Sequence, residues 1–262
     1  MATKRTSVPG EVDKLIAHQS RLLKAPRIAG HYARLAEQGR AAAWSLEDYL
    51  AAVLAVESNA RAESGARQRI RYAGFPAIKT ITDFDFTAQP ALDRAQIARL
   101  EGGGWLAEAR NFVLLGPPGT GKTHLATALA IAAAQAGHRV AFAPATGWIS
   151  RLAEAHSIGR LEAELRKISR YGLIVIDEVG NIPFDTEAAN LFFQLVSTRY
   201  EKSSIVLHMQ LGRHGLTSCR PLVSQSLLRP GFLRERRRRR CAAGPVRNSD
   251  RACGLSLRTF DP

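Results

Sequence analysis

The 262-residue sequence contains only three cysteines, Cys219, Cys241 and Cys253, all within its last 44 residues. An odd set with no zinc-type spacing excludes a disulfide framework and fits a reducing compartment. No apolar run approaches the ~20 residues a membrane span needs, so no membrane partner is expected. The opening residues, Met1-Ala2-Thr3-Lys4-Arg5, are polar and have no apolar stretch behind them. The chain therefore reads as cytoplasmic, without a secretory leader. Hydrophobic residues make up 45%, enough for a true core.

Base outweighs acid at both ends. Residues 1–74 carry 12 Lys/Arg against 7 Asp/Glu, residues 75–207 carry 13 of each, and residues 208–262 carry 12 against 3. A neutral body thus lies between two basic segments, and basic segments attract phosphate backbones through counterion release. DNA is the partner this balance suggests, with a solvated helix face as the plain alternative.

What is abundant is a single, specific pattern. Phe112-Val113-Leu114-Leu115 runs into Gly116-Pro117-Pro118-Gly119-Thr120-Gly121-Lys122-Thr123-His124, and an alanine-rich stretch from Leu125 to Gln135 follows. Strand, glycine-rich turn and helix form the context in which G-x-x-x-x-G-K-[ST] binds phosphate. Glycines let backbone N–H groups converge on phosphate oxygens, and the helix adds its positive end. Residues 116–124 are the candidate ATP-binding residues. Lys122 is expected to reach the β- and γ-phosphates, and the Thr123 hydroxyl to hold Mg²⁺.

Leu173-Ile174-Val175-Ile176-Asp177-Glu178 is the second motif. Four apolar residues predict a strand buried on both faces, as in a parallel sheet, with two carboxylates at its ligand-binding end. Asp177 is the candidate second Mg²⁺ holder, acting through water, and Glu178 the candidate general base. Glutamate directly after the Mg²⁺ aspartate disfavours small-molecule kinases and Ras-like GTPases. It favours the additional-strand ATPases, where this residue activates water.

The remaining elements are legible from periodicity. Leu15, Ile16, Leu22 and Leu23, then Ile28 to Ala36 after Pro26, predict two helices, the second ending at Gly39. Ser45 and Asp48 resemble a capping box before a face of Leu46, Tyr49, Leu50, Val53 and Leu54. Arg61, Arg67, Arg69 and Arg71 form a basic helix end opposed only by Glu63. Residues 1–74 are read as a helical N-terminal domain, putting DNA or a protein partner at its surface. Residues 75–110 are read as a linker and entry segment, with an extended stretch from Ile78 to Phe86 and a short helix from Asp93. Within the core at residues 111–207, strands are expected at 138–143 and 203–207. Helices are expected around Trp148-Leu152-Ala155, Leu161-Leu165-Ile168 with Glu162 and Glu164 facing solvent, and Ala188-Leu191-Phe192-Leu195. The fold class is α/β: a three-layer P-loop NTPase parallel sheet preceded by a small all-helical N-terminal domain.

Several stretches resemble the IstB family, ATP-binding helpers of a class of bacterial insertion sequences. These are Arg27-Ile28-Ala29-Gly30-His31-Tyr32, Phe75-Pro76 with Asp83-Phe84-Asp85-Phe86, Ile176 to Phe184, Glu187 to Leu195, and Arg199-Tyr200-Glu201. The likeness runs from about Leu22 to Leu207. It implies an AAA+ fold similar to the DnaC and DnaA ATPases. It also implies ATP-dependent assembly on DNA, several copies together, and delivery of target DNA to a transposase. A DnaC-like helicase loader and a nucleotide-binding remnant without effective hydrolysis are the alternatives.

Beyond Leu207 the sequence departs from that family. A polar Asn, Thr or Ser is expected at this strand end to sense the γ-phosphate, and His208-Met209-Gln210 stands there instead. The family's closing helix and arginine are missing, and Arg236 to Arg240 are five consecutive arginines. Residues 208–262 are read as a basic, irregular tail translated off frame from a damaged gene, or alternatively as a DNA-binding tail. Weak hydrolysis with retained nucleotide binding is the expectation.

Overall fold

The computed structural model describes residues 10–90, 92–179, 186–200, 202–210 and 255–260. The Gly180 to Phe184 stretch, the polyarginine run and the three cysteines lie outside them. The chain divides into two compact units, Met1–Arg67 and Gln68–Pro262.

The first unit is built from α1 (Glu11–Leu22), α2 (Pro26–Ala41) and the greater part of α3 (Leu46–Tyr72). Proline at the first position of α2 costs no hydrogen bond there. The residue before it, Ala25, has no capping side chain. Glu57 of α3 supplies the missing acceptor: its carboxylate takes the Arg27 N–H at 3.0 Å and Arg61 Nε at 2.7 Å. The Arg61 bond holds this carboxyl below its usual range. Ser45 and Asp48 do form a reciprocal cap, with the Asp48 N–H donating to Ser45 Oγ at 3.0 Å and the Ser45 N–H to Asp48 Oδ2 at 3.3 Å.

Two details differ from the periodicity reading. Gly39 does not end α2. It lies two residues before the end, where a Cβ would meet the Trp44 ring at 3.2 Å. The face drawn through Leu46 to Leu54 also splits. Val53 is buried, whereas Leu46, Leu50 and Leu54 stay exposed.

The second unit is a three-layer α/β sandwich. Its elements are α4 (Arg94–Glu101), α5 (Gly104–Ala107), β1 (Asn111–Gly116), α6 (Lys122–Gln135), β2 (Val140–Pro144), α7 (Ala145–Ser157), α8 (Leu161–Ile168), β3 (Leu173–Asp177), α9 (Thr186–Arg199), β4 (Ser204–Gln210) and β5 (Ser256–Phe260). The sheet order is β2-β3-β4-β1-β5, so β4 is inserted between the loop strand and the Asp177 strand. Strands β1 to β4 are parallel neighbours. Alternation sorts their side chains into two cores. Phe112, Leu114, Leu173, Val175 and Val206 pack with Leu125 and Leu129 of α6. Val113, Ile174, Ile176, Ile205 and Leu207 pack with Trp148, Leu165 and Leu195 on the other side.

The four parallel strands are joined by a fifth at one edge. Strand β5 pairs antiparallel with β1, Leu114 opposite Leu257. Residues 208–210 continue β4, so both ends of the segment read as an irregular tail lie in the sheet. The physical reason is the open edge of β1, whose backbone groups need partners. Leu255 is buried, and its N–H donates to Gln89 Oε1 at 3.3 Å.

The unit boundary also falls short of residue 74. Ala73 is buried and its carbonyl accepts the Phe142 N–H at 2.6 Å, while Arg69 Nε donates to the Ala134 carbonyl at 2.7 Å. The segment read as a linker is core as well, since Phe84, Leu92, Ile97 and Trp105 are buried in the α6-side cluster. Glu164, expected in solvent, is largely covered and accepts from Arg151 at 2.5 Å and Lys167 at 2.9 Å.

Candidate nucleotide and cation site

Side-chain alternation decides what meets at the sheet's C-terminal edge. Leu173, Val175 and Asp177 of β3 share one face, as do Ser204, Val206 and His208 of β4, and that face carries α6. Ile176 pairs with Leu207, so the next residues along, Asp177 and His208, are neighbours. Leu114 of the loop strand lies opposite His208 on the other side. The first turn of α6 therefore brings Lys122 and Thr123 onto Asp177 and His208.

The loop itself turns on Gly119 at φ 77° and Gly121 at φ 83°, a region that L side chains rarely adopt. At Gly121 the demand is double, because a Cβ would lie 2.7 Å from the Phe84 ring. Gly121→Ala is expected to weaken ATP affinity about tenfold or more by displacing Phe84 or unwinding the turn, at a strain cost of about 1–3 kcal/mol. Paired titration and melting of the variant would check this. Pro117 and Pro118 hold the loop's first bend, and the Thr120 hydroxyl donates to the Pro117 carbonyl at 2.9 Å.

Lys122 is buried. Its Nζ donates to the Pro117 carbonyl and, at 3.3 Å, to Thr120 Oγ1. Burial holds its pKa below that of an ordinary lysine. The ammonium is thus folded into its own loop. His124 was grouped with the phosphate-binding residues, but its ring points elsewhere. Its Nε2 meets the Thr80 carbonyl at 2.9 Å and its edge lies against Phe84 at 5.3 Å. It anchors the 80–86 segment, which forms a turn rather than an extended stretch. There the Asp83 carboxylate accepts the Thr80 hydroxyl at 2.6 Å and the Thr80 N–H at 3.0 Å.

Thr123 Oγ1 lies 3.4 Å from Asp177 Oδ1 and 3.2 Å from His208 Nδ1. His208 Nδ1 is also in direct contact with Asp177 Oδ1. Burial, reinforced by the Lys122 charge, pushes the His208 pKa down to about 4. Its other ring nitrogen, Nε2, is buried without a partner among the described residues. Hydroxyl and carboxylate oxygens at this spacing suit a hard divalent cation. Glu178 follows in left-handed backbone, φ 56°, and its N–H donates to Asp177 Oδ1 at 3.0 Å. That turn carries the exposed Glu178 side chain off the strand, away from the buried Asp177. The sequence flagged position 208 as anomalous. Only the register shows that its imidazole enters the Thr123–Asp177 pair.

A glycine loop ahead of a helix, an acid-tipped strand, and one further strand between them define a P-loop NTPase of α/β fold. Comparison with known proteins narrows the class: the family described as IstB-like ATP binding protein matches residues 18–216. The chain belongs to that family. The match extends past Leu207, where the sequence likeness was expected to end.

An ATP-binding protein assigned to insertion sequence IS21 of Pseudomonas aeruginosa is 40% identical over 190 residues, covering 72% of each chain. That of IS232 from Bacillus thuringiensis is 38% identical over 151 residues, covering 58% of this chain and 60% of its own. A Sinorhizobium fredii insertion-sequence ATP-binding protein is 32% identical, covering 71% and 62%. The chain thus spans less than two thirds of the second and third of these relatives. Among solved structures, AMPPCP-bound DnaA from Aquifex aeolicus is 22% identical at TM-score 0.46, covering 52% of this chain and 44% of its own. The DnaC helicase loader is 23% identical at TM-score 0.45, covering 60% and 88%.

Proposed function

We propose that the chain binds Mg–ATP at residues 116–124 and serves, as an AAA+ ATPase, to help an insertion-sequence transposase engage DNA. The observation that carries the nucleotide reading is the convergence of Lys122, Thr123 and Asp177 at the sheet edge. The backbone N–H groups from Gly119 to Thr123, at the positive end of α6, are the phosphate cradle. Lys122 leaves the Pro117 carbonyl and donates to the β- and γ-phosphates. Thr123 and Asp177 hold the cation, which neutralises charge on the phosphate oxygens. Glu178, free of Asp177, orients and deprotonates the attacking water. His208 occupies the strand end from which a small polar side chain would hydrogen-bond the γ-phosphate.

The basic N-terminal unit supports the DNA reading, though through different residues than its sequence suggested. Arg61 is committed to Glu57 and to the Leu23 and Lys24 carbonyls, and Arg69 to Ala134. Exposed Lys14, Arg21, Lys24, Arg34 and Arg40 are the better phosphate contacts. The same reading puts the chain in the cytoplasm beside the transposase of its own element and further copies of itself. No described helix is long and apolar enough to cross a membrane.

ATP binding and turnover by the purified chain, with and without duplex DNA, test the proposal. Tight binding with slow turnover is expected, because His208 replaces the γ-phosphate sensor. Absence of ATP binding would sink the nucleotide reading. Vigorous DNA-stimulated turnover would show that His208 is no impediment. Capture of a replicative helicase in place of the transposase would redirect the partner assignment to helicase loading.

A further inference from the structure

The His208 imidazole is buried at the end of β4 against Thr123 of α6 and Asp177 of β3. It is 6% exposed, its Nε2 has no hydrogen-bond partner among the described residues, and its Nδ1 faces two oxygens, Thr123 Oγ1 and Asp177 Oδ1. Burying a polar ring with one nitrogen unsatisfied is costly. The ring is nevertheless fixed there by register, with Leu114 opposite on β1 and Leu207 beside Ile176 on β3. Protonated at Nδ1, the ring would donate to Asp177 and leave Nε2 a buried acceptor with no described donor; protonated at Nε2, it sets the Nδ1 lone pair against a carboxylate oxygen, which is repulsive unless a cation lies between them. In the Mg²⁺ site of a P-loop protein the protein donors are a hydroxyl and a carboxylate, both hard oxygens. Here a nitrogen joins them.

We propose that His208 Nδ1 is a third protein donor at the Thr123–Asp177 cation position. The site would then take a divalent transition-metal ion such as Mn²⁺ in preference to Mg²⁺. This rests on the reading of that pair as the cation site of the nucleotide pocket. Mg²⁺ keeps an all-oxygen octahedron and gains little from imidazole. Mn²⁺ and the later first-row ions accept imidazole, with affinity rising along the series. A strand end that has lost its γ-phosphate sensor would thereby have acquired a metal-selective one.

The experiment is electron paramagnetic resonance of Mn²⁺ on the full chain, without nucleotide and with a non-hydrolysable ATP analogue, in competition with Mg²⁺. Wild type is expected to prefer Mn²⁺ by about tenfold or more. Its spin-echo envelope should carry ¹⁴N modulation from a directly bound ring nitrogen. His208→Asn should lose the modulation and most of the preference, while its circular dichroism spectrum stays that of wild type. Because the modulation is read on wild type alone, the test does not depend on the variant folding.

Analogue binding with no ¹⁴N modulation would overturn the inference and leave the nucleotide site standing. Modulation without analogue binding would do the reverse. Unchanged Mn²⁺ affinity with tighter Mg²⁺ binding in the variant would also overturn it, by showing that His208 competes for Asp177 rather than coordinating.

Discussion

Lys122→Ala is expected to weaken ATP binding by about 100-fold or more while leaving the melting temperature of the nucleotide-free chain almost unchanged. The first half follows from charge. Truncating one partner of a buried, hydrogen-bonded charge pair costs roughly 2–5 kcal/mol, and each 1.4 kcal/mol is tenfold in affinity. The second half follows from the loop. The Pro117 carbonyl that Lys122 holds also accepts from Thr120 Oγ1 at 2.9 Å, so alanine leaves no orphaned acceptor behind. Removing the ammonium also relieves the burial that depresses its pKa. Titration of a fluorescent ATP analogue beside a thermal melt reads both quantities. A variant that binds as well as wild type would move the phosphates away from residues 116–124. A variant that loses binding and melts early would make Lys122 a structural residue.

How much of this was legible beforehand depends on whether the signal was local. The loop and β3 were plain, because Gly119, Gly121 and four successive apolar residues ending in an acid each report on their own backbone or burial. The cap at Ser45 was equally local. What failed was long-range. Glu164 looks solvent-facing in its helix but meets Arg151 from α7. His124 lies within the phosphate motif, yet its ring is claimed by Thr80, 44 residues earlier. Strand β5 had no detectable pattern, since Ser256 to Phe260 offers a single pair of alternations inside a basic tail. It is β1's open edge, not the tail's own propensity, that gives those residues their place. His208 falls between the two cases. Its identity was anomalous in sequence, but its meaning needed the register of three strands.

Arg199→Ala is expected to cost about 3–5 kcal/mol of stability, more than any change within the loop. This side chain is 1% exposed and has no acidic partner among the described residues. Its guanidinium donates instead to three backbone carbonyls: Ile168 at 2.8 Å, Tyr171 at 2.8 Å and Ser204 at 3.1 Å. Burial pushes its pKa down to about 10, so the residue remains charged at neutral pH. Alanine would open a cavity and strip buried carbonyls of their donor. Ile168 would keep a backbone donor, the Tyr171 N–H at 3.1 Å. Lysine restores charge but not the planar fork, so Arg199→Lys should recover less than half of the loss. Urea unfolding of the three proteins measures this.

The same carbonyls end α8, lead into β3 and begin β4. Arg199 therefore ties together the starts of the two strands whose far ends carry Asp177 and His208. If it sets their register, both variants should bind nucleotide and cation more weakly even where they remain folded. A variant that loses stability but keeps full affinity would mean that β-sheet hydrogen bonding alone holds Asp177 beside His208.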